Sequence, residues 1–505
     1  MKSNIVKIGL MIAAAAILLT GCKDNDPDED EKPGDGNEEQ IFFGPDNTQL
    51  GNGKAEFFIQ NSVTIKKGVY TMVGWIYVVD GVTLTIEPGT IIKGTDYNWD
   101  GTKAANGSSL IIQRGAKIIA EGTPEEPIVF TSAKPKGQRQ ATDWGGIIIC
   151  GKARNNQGEM LIEGGVHAYH GGDIDNDNSG ILKYVRLEFG GYPYALDTEI
   201  NGLTLGSVGS GTTIEYVQVS YCGDDSFEWF GGTVNGKYLI AYHGWDDDFD
   251  TDNGFSGKLQ FLLGIRDPKI ADQSNSNGFE SDGNAAGTDA TPLTKCVFSN
   301  VTMVGPLGQD PSFQNNTTYI NGYGWGDKTD LPFPIRTGIF QCAMQIRRHS
   351  HLSCFNSVFV GYPVGIMLSN DGRGDTQGAA AADLLKVKNV VFAGMGMTGA
   401  DADKKVPADW SGDISNDYFM QAKLNNRVFS TIAEIGLNQP NSKQSSSNYG
   451  PKSGSPLLNG GDFNDPFLND PYFTKVTYVG AFASDSDADN WTKGWANFDP
   501  QNTDY

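Results

Sequence analysis

From about residue 60 onward one kind of segment keeps returning: a short β-rich run, a glycine or polar turn, and a second short run, with copies a little over twenty residues apart. Val82 to Gly94 and Leu110 to Gly122 show it most plainly, each reading strand, turn, strand. Further copies begin near Ile128, Trp144, Ile181, Thr212, Lys237, Lys258 and Lys295, with weaker ones near Leu352 and Val387. The run Ile214 to Cys222 aligns with Lys237 to His243 and with Lys258 to Gly264. A repeat of this length, made of strands without helix, is what one coil of a parallel β-helix requires, because each coil stacks on the next at ~4.8 Å. Leucine-rich repeats would carry a Leu/Asn consensus, and propeller blades would be about twice as long. Neither fits. Ile, Val and Leu alternate with Thr, Lys, Gln and Glu, so one side of each strand faces a core. The expected fold is an all-β parallel β-helix solenoid of about ten to twelve coils, with long loop insertions and a small mixed C-terminal cap.

Glycine, 65 of 505 residues, supplies the many tight turns such a coil needs. The hydrophobic fraction of 38% is enough for a packed core. The chain has 38 Lys+Arg against 61 Asp+Glu, a formal charge of −23. So acidic a surface opposes nucleic-acid binding, which needs a basic footprint. Metal ions or neutral ligands suit it better.

Residues 1–21 carry Lys2 and Lys7, an apolar run from Ile8 to Leu19, and small residues before Cys22, the layout of a secretory leader. The run is too short to cross a bilayer. Leu19, Thr20, Gly21 and Cys22 match a bacterial lipobox, which makes Cys22 the lipidated residue and the outer-membrane lipid its first partner. Loss of the leader with its two lysines takes the charge to −25. Residues 22–50, with Asp24, Asp26, Asp28, Glu29, Asp30 and Glu31, read as an acidic, extended tether. The expected division is then 51–400 for the β-helix and 401–505 for a capping segment with a helix.

Within the β-helix, residues 265–293 and 306–340 are rich in Asn, Asp, Gly and Pro and read as projecting loops. In the cap, Phe419, Leu424, Val428, Ile432 and Ile435 have helical spacing across Asn416 to Leu437. Such a helix would block the last coil against edge-to-edge aggregation. The tail through Trp491 and Trp495 reads as extended chain anchored by aromatics. Cys150, Cys222, Cys296, Cys342 and Cys354 include no CxxC pair. Cys342 and Cys354 could pair, but buried roles suit most of the five better.

Three stretches carry a family resemblance: Gly74 to Gly94, Cys222 to Val234, and Tyr478 to Phe482 with Trp491 to Pro500. Together they resemble Bacteroidetes surface lipoproteins with right-handed parallel β-helices of the pectate-lyase-like superfamily. The resemblance covers most of the mature chain and implies fold and an outer-membrane location facing outside the cell, a placement that the acidic tether also resembles an export signal for. It carries no reaction, because members are mostly of unassigned activity.

The densest acidic cluster is Asp224, Asp225 and Glu228, followed one coil later by Asp246, Asp247, Asp248, Asp250 and Asp252. Stacked in register, these carboxylates would repel strongly unless a cation such as calcium, with its six to eight oxygen ligands, sits among them. Asp248, Asp250, Asp252 and Gly254 resemble the start of an EF-hand loop, although the twelfth position falls on Leu259. Asp173, Asp175 and Asp177 repeat the spacing and form a second candidate calcium site. A solvated Asp/Asn turn ladder is the alternative at both.

Gly223, Asp224 and Asp225 resemble one polygalacturonase motif, but neither the Asn-Thr-Asp signature nor a Gly-His-Gly segment accompanies it. A lyase would need a base, for which Arg266, Lys269 or Lys237 are the local candidates. Arg347 and Arg348 could hold an anionic group or pair with neighbouring carboxylates, and His349 with His351 lacks a third metal ligand. His243 reads as a solvent-facing coil residue. Tyr323 with Trp325, and Tyr97 with Trp99, offer aromatic platforms that could stack on sugar rings or fold back on the coil. The leading expectation is a non-catalytic surface lipoprotein that captures a glycan or other nutrient, with an outer-membrane transporter as partner. The alternatives are an extracellular polysaccharide lyase or glycoside hydrolase, with Asp224, Asp225 and Arg266 as catalytic candidates, and an adhesin.

Overall fold

The computed structural model describes residues 48–51, 56–96, 107–195, 198–324, 337–370, 374–402, 411–438 and 448–505. In Thr83–Ile86 the side chains of Leu84 and Ile86 are buried and the threonines half-buried. One coil on, Lys117–Glu121 buries Ile118 and Ala120, and Leu84 pairs in register with Ile118. That alternation, repeated in parallel from coil to coil, builds the solenoid. It has three strand-bearing faces.

The first face is an eleven-stranded parallel sheet among the described residues, running from Glu56–Ile59 to Met397–Ala400. The second and third faces begin as separate strands, such as Lys117–Glu121 and Ile128–Ser132. Both then pair with the single bent strand Gly180–Glu188. The same bent form continues in Thr213–Ser220, Asn235–Tyr242, Lys258–Ile265 and Val297–Val304. Each bend is one left-handed residue: Tyr184, Tyr216, Tyr238, Phe261 and Asn300, with φ between 51° and 60°, a range disfavoured for most side chains. The column ends in Asn356, Asn389 and Asn425, also left-handed.

This column sets the register. Glu215 pairs with Lys237 and Lys237 with Gln260, so the repeats align one and two positions away from the match of Ile214, Lys237 and Lys258. The bending aromatics, rather than the lysines, are the equivalent positions.

The C-terminal region departs from the expected helix over Asn416 to Leu437. A seven-residue helix, Asp413–Phe419, is followed by the 3-10 turn Ala422–Leu424, the strand Arg427–Phe429 and the 3-10 turn Ile432–Ile435. Asn425 and Gly436, both left-handed, end the two turns. Arg427–Phe429 pairs in parallel with Val391–Ala393, so the third face extends beyond residue 400. Residues 448–505 then run back along the bend. Their path is traced by Asn389 bonded to Gly460 O, Asn356 to Asp462 O, Gln260 to Thr474 O, Gln218 to Asn497 O and Arg139 to Pro500 O. The expected loop 265–293 is interrupted by Phe279–Ser281, a rung of the first face too short to stand out in a polar stretch. All five cysteines from Cys150 to Cys354 are buried and no disulfide joins them.

Candidate acidic cleft

On the first face Phe227–Gly232 pairs with Phe249–Asp252, which pairs with Phe279–Ser281, which pairs with Cys342–Ile346. Phe227, Phe249 and Phe279 point inward, and Phe249 is fully buried among them. The intervening positions stack Glu228 on Asp250, Asp250 on Glu280 and Glu280 on Gln345. A second column lies in the turn before these strands. There Asp225 Oδ1 accepts from the Asp247 N–H at 2.7 Å, Asp247 Oδ1 from the Asn277 N–H at 2.5 Å, and Asn277 Oδ1 from the Cys342 N–H at 3.1 Å. Each side chain thus caps the next rung, using one oxygen. In Asp225 and Asp247 the other carboxylate oxygen remains.

The two columns bound a cleft of about 170 Å³ lined by Glu163, Glu199, Asp224, Asp225, Glu228, Asp246, Asp247, Asp250 and Glu280, together with Ser274, Gln341, Gln345 and Arg347. Pockets that enclose a small molecule run to ~300–1,000 Å³. This one can seat ions and the edge of a larger ligand. Two sets of carboxylates converge, with oxygens within 4.8 Å of one another: Asp224, Asp225 and Asp246, and Asp225, Glu228 and Asp250. Asn201 donates to Glu228 Oε2, and Ser274 Oγ to Asp246 Oδ2 at 2.6 Å. Asp250 Oδ1 is sealed from solvent with no donor among the described residues, an atom that a hard cation would satisfy.

Burial, reinforced by neighbouring carboxylates, pushes Asp224, Asp225, Glu228, Asp247 and Asp250 well above the ordinary carboxylate range. Asp246 and Glu280 rise to about 7 and Asp252 to about 8, burial again being the main cause. The wall therefore carries a large cost whenever all its members ionise without a counter-charge.

The remaining sequence candidates divide. Asp248 is no ligand in this arrangement: it points into the core, where its Oδ1 meets Arg266 Nη1 at 2.9 Å, and both side chains are fully buried. Arg266 also donates to Trp245 O, so it is a core residue rather than a base facing a substrate. Lys269 lies over the Tyr319 ring, and Lys237 donates to Thr474. Asp252 neither lines the cleft nor joins a converging set, and it accepts from the Asn253 N–H. Asp173, Asp175 and Asp177 do not converge: Asp175 is held by Arg154, and Asp177 accepts from the Lys152 N–H.

Arg347 reaches the cleft, yet it is engaged by Glu280 and Asp282, and Arg348 by Asp282 at 2.6 Å. These arginines neutralise part of the wall instead of standing open to an anion. His349 and His351 have ring centroids 5.1 Å apart, and neither joins a three-ligand group among the described residues. His243 is buried rather than solvent-facing, stacked on Tyr242 and beside Asp267. Tyr323 is exposed and donates to Asp267 without lining the cleft. Trp99, Trp325 and Cys22 lie outside the described residues.

Sequence reasoning missed Glu163, Glu199, Glu280, Gln341 and Gln345. Glu280 shares the register of Glu228 and Asp250 but hides in the stretch read as a loop. Glu163 and Glu199 arrive on hairpins outside the stack, the first between the paired strands Met160–Leu161 and Tyr169–His170. No periodicity points to them.

A family model described as a pectate-lyase like beta helix domain matches residues 57–434. No curated protein matches the chain. Among solved structures, the crystal structure of the Dettilon tailspike protein is similar at 12% identity and a TM-score of 0.22, over 69% of this chain and 60% of the tailspike chain.

Proposed function

The chain belongs to the pectate-lyase-like β-helix family, and from that premise we propose that it is an outer-membrane lipoprotein, anchored through Cys22 and facing outside the cell, that captures an extracellular glycan or other nutrient at the acidic cleft with the help of calcium. The observation that carries this reading is the convergence of Asp225, Glu228 and Asp250, whose oxygens lie within 4.8 Å of one another. Among the described residues no lysine, arginine or histidine pairs with any of the three. Bound there, calcium would offset the charge of these carboxylates and present its remaining coordination positions to sugar hydroxyls. Asp225 and Glu228 are held in place from behind, by the Asp247 N–H and by Asn201. Ser274, Gln341 and Gln345 add neutral polar side chains to the lining. An outer-membrane transporter would receive the captured ligand.

The test is a panel of polysaccharides and oligosaccharides presented to the mature lipoprotein with calcium and with chelator. Binding that appears with calcium and disappears with chelator or with Asp250→Asn is expected; glycan binding indifferent to both would sink the reading. Separately, Cys22→Ser should release the protein from the membrane fraction, and protease added to intact cells should cleave the wild type. A catalytic reading draws on one feature, that burial pushes the Asp246 and Glu280 carboxyls up to about 7, a range suited to an acid and a base. Reproducible reducing-sugar release or unsaturated-uronide absorbance, abolished by Asp225→Ala, would replace binding with catalysis.

A further inference from the structure

We propose that the tyrosine column at the bend is an oxidative cross-linking site, in which Tyr216 couples through its ring to Tyr184 or Tyr238 when a peroxide acts on the protein by one-electron oxidation. The site lies away from the acidic cleft and does not depend on what the cleft binds. Tyr184, Tyr216, Tyr238 and Phe261 have φ of 51°, 52°, 58° and 60°, a left-handed backbone that bulky side chains seldom adopt. Asparagine meets that demand at lower cost, and does so at Asn300, Asn356, Asn389 and Asn425. Stacking asks only for a ring, which Phe261 supplies against Tyr238 with centroids 5.1 Å apart. Neither the bend nor the stack accounts for three phenols in succession.

The register sets the three side by side. Val185 pairs with Val217 and Val217 with Leu239, so Tyr184, Tyr216 and Tyr238 occupy one position on adjacent rungs. In both neighbouring pairs the ring centroids are 4.4 Å apart, with planes tilted by 19° and 11°. Near-parallel rings on equivalent rungs bring each hydroxyl, and the ring carbons beside it, next to their counterparts. The Tyr216 phenol is accordingly held above its ordinary value, first by burial and then by the Tyr238 and Tyr184 phenols. All three rings are partly exposed, and the fixed stack supplies the second phenol without diffusion. Other stacked tyrosines lack this arrangement. Tyr77 lies on Phe58 and Tyr221 on Phe189, partners without a hydroxyl. Tyr221 and Tyr242 meet edge to face at 5.7 Å, and Tyr242 is fully buried with its hydroxyl donating to Phe498 O.

In the coupling, each of two phenols gives up one electron and its hydroxyl proton. The two phenoxyl radicals join through ring carbons ortho to oxygen, and the hydrogens on those carbons then move to the oxygens and restore both hydroxyls. Two C–H bonds and the peroxide O–O bond break, one C–C bond and two O–H bonds form, and the peroxide leaves as two waters. The product is a covalent link between adjacent coils, beneath the returning segment that carries Trp491 and Trp495.

The test treats the dilute full chain with hydrogen peroxide and a haem peroxidase, and reads dityrosine fluorescence, intact mass and cross-linked peptides. The expected product is a single chain lighter by two hydrogens, with the Tyr216 peptide joined to that of Tyr184 or Tyr238. Because Tyr216 is the shared member, Tyr216→Phe should abolish this product, whereas Tyr184→Phe and Tyr238→Phe should each keep coupling at the remaining pair. Phe261 shows that the column accepts phenylalanine, and circular dichroism checks that each variant folds. Coupled wild type should unfold at a higher urea concentration than untreated protein, a shift absent from treated Tyr216→Phe. No coupling in wild type, or a yield indifferent to Tyr216→Phe, would overturn the proposal. So would products joined only between molecules through the exposed Tyr169 and Tyr323.

Discussion

Two columns of stacked residues run along this solenoid, and repetition acts on them with opposite sign. At the bend between the second and third faces, Tyr184, Tyr216, Tyr238 and Phe261 stack with ring centroids 4.4, 4.4 and 5.1 Å apart. The column continues in asparagines, with Asn389 donating to Asn356 at 2.6 Å and Asn425 to Asn389 at 3.1 Å. The returning C-terminal segment covers it, Trp491 against Tyr238 and Trp495 against Tyr216. On the first face, Glu228, Asp250 and Glu280 stack in the same manner. A coil places like on like at ~4.8 Å, which favours rings and carboxamides and penalises carboxylates. The bend column is satisfied from within the chain. The acidic column, except where Arg347 reaches it, is not, which is the physical reason to seek its counter-charge outside the chain.

The largest effect should come from breaking the satisfied column. Trp495 is buried over Tyr184 and Tyr216, and Trp495→Ala should destabilise the protein by about 3–5 kcal/mol in urea denaturation. A loss near zero would mean that the returning segment is ornamental. Asn389→Ala comes next, since it forces a left-handed alanine and removes bonds to Asn356 and Gly460, at a cost of about 1–3 kcal/mol. Neither substitution should alter calcium affinity.

The acidic column should respond to pH instead. Carboxyls in and beside it titrate near 4 when unfolded, but Glu280 within the column and Asp246 beside it rise to about 7, and Asp252 to about 8, in the fold, with burial as the first cause. The native state then binds more protons than the unfolded state between pH 4 and 8, so stability falls as pH rises through that window. Below pH 4 both states are protonated and the penalty vanishes. Without calcium, the melting temperature should drop from pH 5 to pH 8; with calcium, the gain should be larger at pH 8. A flat profile with an equal calcium shift at both pH values would remove the contrast between the columns.

How far these columns could be read in advance follows from where their residues sit. Asp225 and Asp247, and Glu228 and Asp250, fall in one uninterrupted stretch with regular spacing, so stacking could be inferred from the sequence. Asp248 could not be placed that way. Asp248 and Phe249 are consecutive and both fully buried, so alternation breaks where the turn enters the strand. The bend column stayed hidden because a left-handed tyrosine inside a strand looks like any other tyrosine in the alternating pattern. The strap could be read as extended chain with aromatic anchors, but its direction depends on pairings such as Gln218 with Asn497, far apart in sequence. The helix expected across Asn416 to Leu437 stops at Phe419, with Gln421 extended and Asn425 and Gly436 left-handed beyond it, since apolar spacing alone registers no such backbone breaks.

The smallest expected effect is also the sharpest check on spacing as a guide to metal sites. Asp173, Asp175 and Asp177 have the same alternation as Asp248, Asp250 and Asp252, and by sequence alone the two are equal candidates. In the fold they are not equal. The Asp175 carboxylate is held by Arg154, which keeps its pKa below the ordinary range, in contrast to the raised carboxyls of the cleft. A carboxylate that already has a cationic partner in water gains little from a metal and loses little when neutralised. Asp175→Asn should therefore leave calcium stoichiometry and affinity unchanged and shift the urea midpoint by no more than experimental error. A tenfold loss of calcium affinity in that variant would move the cation site away from the first face and remove the reason to treat the acidic column as the working surface.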